Sequence, residues 1–160
     1  MSISIGAFAP DFHLVDQHGQ DVSLSGLRGR KAAVVVFYPW AFSSVCTAEL
    51  AALQEDVTSF VSDDIELLAI SCDAMFTQRA FADARGITFA LLSDFWPHGQ
   101  VARAYGVFDE RRGCAVRGTF VVDVGGIVQW KVVNAVPDAR AVVDYRDALA
   151  ALAGRTALDK

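Results

Sequence analysis

Four residues between positions 39 and 49, namely Pro39, Ser43, Cys46 and Glu49, bring reactive side chains together at a spacing that could build a nucleophile. From Ser43 onward the apolar positions Cys46, Leu50, Leu53, Val57 and Phe60 recur every three or four residues, which predicts an amphipathic helix ending near Ser62. With Ser43 as N-cap, Cys46 falls at the third helical position. There the unpaired backbone N–H groups and the positive end of the helix dipole converge. Such a position favours a thiolate over a thiol, and the thiolate is the nucleophilic form of cysteine.

The elements that must position this segment can be read outward from it. Ala32 to Tyr38 is a continuous apolar, β-branched run ended by Pro39, the pattern of a strand buried on both faces of a mainly parallel sheet. The junction where such a strand ends and a helix begins is where open α/β sheets bind ligands. Phe12 to Val15 and Val22 to Leu24, separated by Asp16-Gln17-His18-Gly19, predict an opening β-hairpin. Ile65 to Ser71 and Phe89 to Leu92 read as further strands, and Thr77 to Ala84 as a helix stopped by Gly86. Gln100 to Tyr105 reads as a short helix. Gly118 to Asp123 and Ile127 to Val133 form a strand pair hinged at Gly125-Gly126, and a last helix runs from about Asp138 to Ala153. Strands alternating with helices imply parallel β-α-β connections and an α/β fold. With 160 residues, 53% of them hydrophobic, and no linker-like tract, one domain over 1–160 is expected, with 154–160 as a frayed tail.

Each of the four residues also has a plain structural role. A buried cysteine on an apolar helix face is ordinarily a small hydrophobe. Pro39 can stop a strand, Ser43 can cap a helix, and Glu49 suits a first-turn dipole. Arg117, just before an apolar strand, could be a surface residue with a snorkelling stem. Trp40, Phe42, Phe95 and Trp96 read as packing residues before they read as a substrate pocket. These roles are compatible with catalysis, so the joint spacing decides.

Pro39, Ser43 and Cys46 match P-x-x-x-[ST]-x-x-C, the active-site signature of the peroxiredoxins, and the chain resembles that family over nearly its whole length. The likeness includes Gly6, Ala9, Pro10, Asp11 and Phe12, the pair Cys46 and Glu49, and Arg117 to Asp123 (RGTFVVD). Leu91 to Gly99 (LLSDFWPHG) with Ala104 to Phe108 (AYGVF) looks most like the AhpE type, the alkyl hydroperoxide reductase E group of actinobacteria. The resemblance implies a thioredoxin-like fold, a central mixed sheet flanked by helices with an N-terminal β-hairpin. It also implies a thiol-dependent peroxidase acting on hydrogen peroxide, alkyl hydroperoxides or peroxynitrite, without cofactor or metal. Cys46 would be the peroxidatic cysteine, Ser43 and Arg117 would bind the peroxide oxygens, Pro39 would shield the thiolate, and Glu49 would orient Arg117. Displacement at a peroxide oxygen builds charge on the departing atom, so donors aimed at both oxygens suit this chemistry.

The sulfenic acid left on Cys46 must condense with a thiol. The family places resolving cysteines five residues on, in the following helix, or near the C-terminus. Here positions 51 and 82 are Ala and no cysteine follows Cys114. Cys72, at the end of the Ile65–Ser71 strand, and Cys114, beside Arg111 and Arg112 in an expected mobile loop, remain as candidate resolving residues. The AhpE likeness instead implies a one-cysteine cycle, with a low-molecular-weight thiol such as mycothiol and a mycoredoxin- or thioredoxin-like reductant, and a homodimer or larger assembly. A thioredoxin-like disulfide-exchange module would need C-x-x-C at the helix start, where this chain has Glu49. A redox-sensing module is the non-enzymatic alternative.

Charge and hydropathy narrow the partners. A net charge of −5 with scattered arginines offers no field for nucleic acid. Met1 to Asp11 does not read as a signal peptide and Ala32 to Tyr38 is too short to span a bilayer. Three cysteines cannot all pair and lack zinc-site spacing, which fits a reducing, cytoplasmic setting.

Overall fold

A computed structural model describes the backbone of residues 1–158 and the side chains of residues 1–150. In chain order the strands are β1 (His13–Val15), β2 (Asp21–Ser23), β3 (Ala32–Phe37), β4 (Ile65–Ser71), β5 (Ala90–Ser93), β6 (Phe108–Asp109), β7 (Cys114–Ala115), β8 (Arg117–Val122) and β9 (Val128–Asn134). The helices are α1 (Ser44–Glu55), α2 (Met75–Arg85), α3 (Gln100–Ala104) and α4 (Val142–Leu158).

Seven strands form one mixed sheet in the order β2-β1-β5-β4-β3-β8-β9. β3 runs parallel to β4, and β4 to β5, through crossovers that helices α1 and α2 provide. β8 joins β3 antiparallel, with Val36 opposite Thr119, and β1 joins the far edge antiparallel at Val15 and Ser93. The thioredoxin-like mixed sheet and the opening β1–β2 hairpin are therefore as expected.

Alternation along β3 explains why its whole apolar run is buried. Val34, Val36 and Tyr38 face α1, α2 and α4 together with Leu50, Leu53, Phe81 and Tyr145. Val35 and Phe37 face the opposite side with Leu68, Tyr105 and Phe120. Cys46 belongs to the first of these two clusters.

Several boundaries differ from expectation. α1 stops at Glu55 and gives way to a 3-10 turn at Val57–Ser59, so Val57 and Phe60 pack from a separate turn. α4 begins at Val142 and reaches Leu158, while the expected tail over 154–160 lies outside the residues whose side chains are described. Arg117 lies inside β8 and not before it. Phe108–Asp109 and Cys114–Ala115 pair as a small antiparallel ribbon where a mobile loop was expected. Gly86 caps α2 in the left-handed conformation, φ 66°, as its sequence position suggested.

Candidate active site

The strand-turn-helix from Pro39 to Glu49 places its side chains through local geometry. Pro39 follows β3 and is buried. Ser43 is the N-cap of α1: the Cys46 amide donates to Ser43 Oγ at 3.4 Å, and Thr47 Oγ1 donates to the Ser43 carbonyl at 2.7 Å. Since Ser43 Oγ accepts from the amide, its own proton remains free to donate to a bound oxygen. Cys46, in the first turn, is 0% exposed.

Arg117 reaches the same point from β8. Its Nη1 donates to Cys46 Sγ at 3.2 Å and to Glu49 Oε1 at 2.6 Å, and its Nε donates to the Val136 carbonyl at 2.5 Å. Three fixed acceptors leave this fully buried guanidinium a single orientation. Next to it, Gly118 lets β8 pack closely on the opposite core: a Cβ there would lie 2.9 Å from Val107 Cγ1.

One residue of the site was missed in the sequence. Arg140 donates to Glu49 through its backbone amide at 2.6 Å, its Nε at 3.0 Å and its Nη2 at 3.0 Å. Its Nη1 donates to the carbonyls of Phe37 and Gly118 and to Thr119 Oγ1, at 2.7, 2.9 and 3.1 Å. It thus ties the end of β3 to β8 and clamps the carboxylate that orients Arg117. Nothing in the run Ala135 to Ala141 marks this arginine as buried; its partners come from three distant elements.

The electrostatics follow from these contacts. Burial alone would raise the Glu49 carboxyl, but the hydrogen bonds and charge of Arg140, with Arg117 behind, outweigh it and hold the group below the usual carboxylate range. The hydrogen-bonded cluster then contains two guanidinium charges and one carboxylate. One guanidinium charge more than the carboxylate balances is therefore held beside the Cys46 sulfur, 3.2 Å from Arg117 Nη1. Such an arrangement favours a nucleophilic sulfur with two kinds of donor, a hydroxyl and a guanidinium, converging near it.

The other two cysteines are held apart from this role. Cys72 and Cys114 are buried and unpaired. Burial, with Asp94 second, pushes the Cys72 thiol up to about 12; burial, with Asp109 second, pushes Cys114 up to about 11. The Arg112 guanidinium does act on Cys114 in the expected direction, but it is paired with Asp109 at 2.9 Å, and burial and Asp109 outweigh it. Trp40, Phe42, Phe95 and Trp96, read as packing, are 39%, 50%, 52% and 82% exposed on the loops leaving β3 and β5, although the Phe42 ring does pack against Phe81 of α2. His98 bridges two loops, with Nε2 2.7 Å from the Gly113 carbonyl. No cluster of three or more His, Cys, Asp or Glu side chains suited to a metal occurs among the described residues, and no described helix is long and apolar enough to cross a membrane.

Comparison with known proteins bears on this geometry. The model of the AhpC/TSA family matches residues 5–131. Alkyl hydroperoxide reductase E of Mycobacterium tuberculosis is 47% identical over 150 residues, 94% of this chain and 98% of that protein. Crystal structures of Enterococcus faecalis AhpC (30% identity, TM-score 0.86, covering 100% of this chain and 98% of that one) and of peroxidoxin BcpB from Mycobacterium tuberculosis (30%, 0.79, 95% and 97%) superpose on it.

Proposed function

The chain belongs to the AhpC/TSA family as a peroxiredoxin of the alkyl hydroperoxide reductase E type, a thiol-dependent peroxidase, and from that membership we propose that Cys46 is its peroxidatic cysteine. The observation that carries the assignment is the 3.2 Å contact from Arg117 Nη1 to Cys46 Sγ inside a buried cluster of two guanidiniums and one carboxylate.

In this mechanism the Cys46 thiolate attacks the terminal oxygen of a hydroperoxide. The S–O bond forms as the O–O bond breaks and sulfur is oxidised to the sulfenic acid; a departing alkoxide or hydroxide takes a proton from solvent to leave as alcohol or water, and peroxynitrite releases nitrite. Ser43 Oγ–H and Arg117 stabilise the oxygens as charge moves from the attacked to the leaving atom. Glu49 and Arg140 hold Arg117 in place, and Pro39 closes the strand end against water. Hydrogen peroxide, alkyl hydroperoxides and peroxynitrite all present the weak O–O bond that this chemistry needs.

The sulfenic acid is recycled by an external thiol. Two observations support that reading: both other cysteines are buried, and both thiols are pushed far toward the neutral form. A low-molecular-weight thiol of the mycothiol kind, followed by a mycoredoxin- or thioredoxin-like protein, fits such a one-cysteine cycle. The unpaired thiols also favour a cytoplasmic setting. The exposed aromatic residues on the loops after β3 and β5 supply a surface for a second copy of the chain, giving a homodimer or larger assembly. The peroxidase assignment is tested by following hydroperoxide consumption with a dithiol reductant: the parent turns over many times, and Cys46→Ser does not. Equal consumption by the two proteins would refute it.

A further inference from the structure

The turn between β3 and α1 has little to hold it from its own side chains. Trp40 and Phe42 are 39% and 50% exposed, and the turn's own backbone bond, from the Ser43 amide to the Trp40 carbonyl, is long at 3.4 Å. Phe42 adopts φ 70°, a left-handed conformation that a bulky L-residue keeps only when its surroundings over-determine it.

Those surroundings come from the segment joining β4 to α2. Asp73 Oδ2 accepts from the Ala41 amide at 2.8 Å and from Ser71 Oγ at 2.7 Å. Ser71 Oγ accepts in turn from Gln78 Nε2 at 2.9 Å, and the same nitrogen donates to the Leu92 carbonyl at 2.7 Å. Ser93 Oγ donates to the Asp73 carbonyl at 2.7 Å. Ser71 and Gln78 are fully buried, so the carboxylate is fastened to β4, β5 and α2 before it meets the turn. The Phe42 ring rests edge-on against Phe81 of α2, centroids 5.1 Å apart.

We infer that Asp73 is the positioning residue of the active-site turn, its carboxylate gripping the Ala41 amide so that Ser43 and Cys46 meet Arg117 in the reactive geometry. The inference rests on the peroxidase reading and adds a residue that touches neither sulfur nor substrate. Ala41 lies two residues before the N-cap, so releasing its amide frees the whole lead-in to α1. The same tether has an opposite effect on recycling. Cys46 is fully buried, so an external thiol reaches its sulfenic acid only when the turn opens, and the grip of Asp73 opposes that opening.

The test is a pair of rates measured on each protein: oxidation of Cys46 by hydrogen peroxide, and reaction of Cys46 with a bulky aromatic disulfide. In Asp73→Ala the oxidation rate is expected to fall by about tenfold to a hundredfold, the scale of a misplaced reacting group, while the rate with the bulky reagent rises. Asp73→Asn keeps an acceptor oxygen for Ala41 and is expected to recover most of the lost oxidation rate. Should Asp73→Ala fail to fold, Ser71→Ala leaves the carboxylate but removes one of its donors, and the same opposite changes, smaller in size, are expected. Two rates that stay unchanged, or that fall together, in a folded variant would overturn the inference. A parent protein inert to hydroperoxide would overturn the peroxidase reading itself.

Discussion

Of the groups in the buried cluster, only Arg117 touches both the sulfur and the carboxylate. Its loss removes a donor aimed at the reacting atoms, so Arg117→Met is expected to slow Cys46 oxidation by about a hundredfold to a thousandfold, measured by stopped-flow with excess peroxide. Glu49 acts one step back, and its ionisation links the site to folding. Its folded carboxyl lies below the ordinary value of 4.5, so the ionised group stabilises the native state above that pH. This contribution is lost as pH falls below 4.5 and through the lower, folded value. Denaturant titrations should show stability dropping over that acid range in the parent and dropping less in Glu49→Gln. Pro39, Ser43, Cys46 and Glu49 were legible as a group because their spacing is local, confined to one strand end and one helix start. Arg117 stood out only through family resemblance, and Arg140 not at all, since a buried charge is defined by partners distant in the chain.

At the scale of elements, the site depends on α1 starting at one residue. Ser43 is both cap and candidate peroxide donor, and the two roles separate by substitution. Ser43→Thr keeps hydroxyl and cap and is expected to retain activity. Ser43→Ala loses about 1 kcal/mol of stability from the cap alone and also the hydroxyl donor, so activity should fall further than thermal or denaturant unfolding accounts for. The central strands and α1 and α2 were readable because hydrophobic period and punctuation agree at Pro39 and Gly86. The β6–β7 ribbon was not, because two-residue strands carry no period. That is why Cys114, expected on a mobile loop, turns out to be buried in β7, with its thiol pushed up to about 11.

At the scale of the whole molecule, the exposed aromatics and the buried spare thiols make separate demands on partners. In the proposed assembly Trp96, 82% exposed, would be covered by a second copy. Trp96→Glu is expected to shift the sedimentation profile toward monomer at concentrations where the parent is associated; an unchanged profile would remove that face from the interface. The thiols bear on the catalytic cycle itself. The most direct test is the mass of the fully reduced protein after one equivalent of hydroperoxide, with peptide mapping and Cys46→Ser alongside. The account predicts a gain of one oxygen atom located on Cys46 and none in the variant. A loss of two hydrogens through a bond to Cys72 or Cys114, or oxygen uptake undiminished in Cys46→Ser, would contradict it.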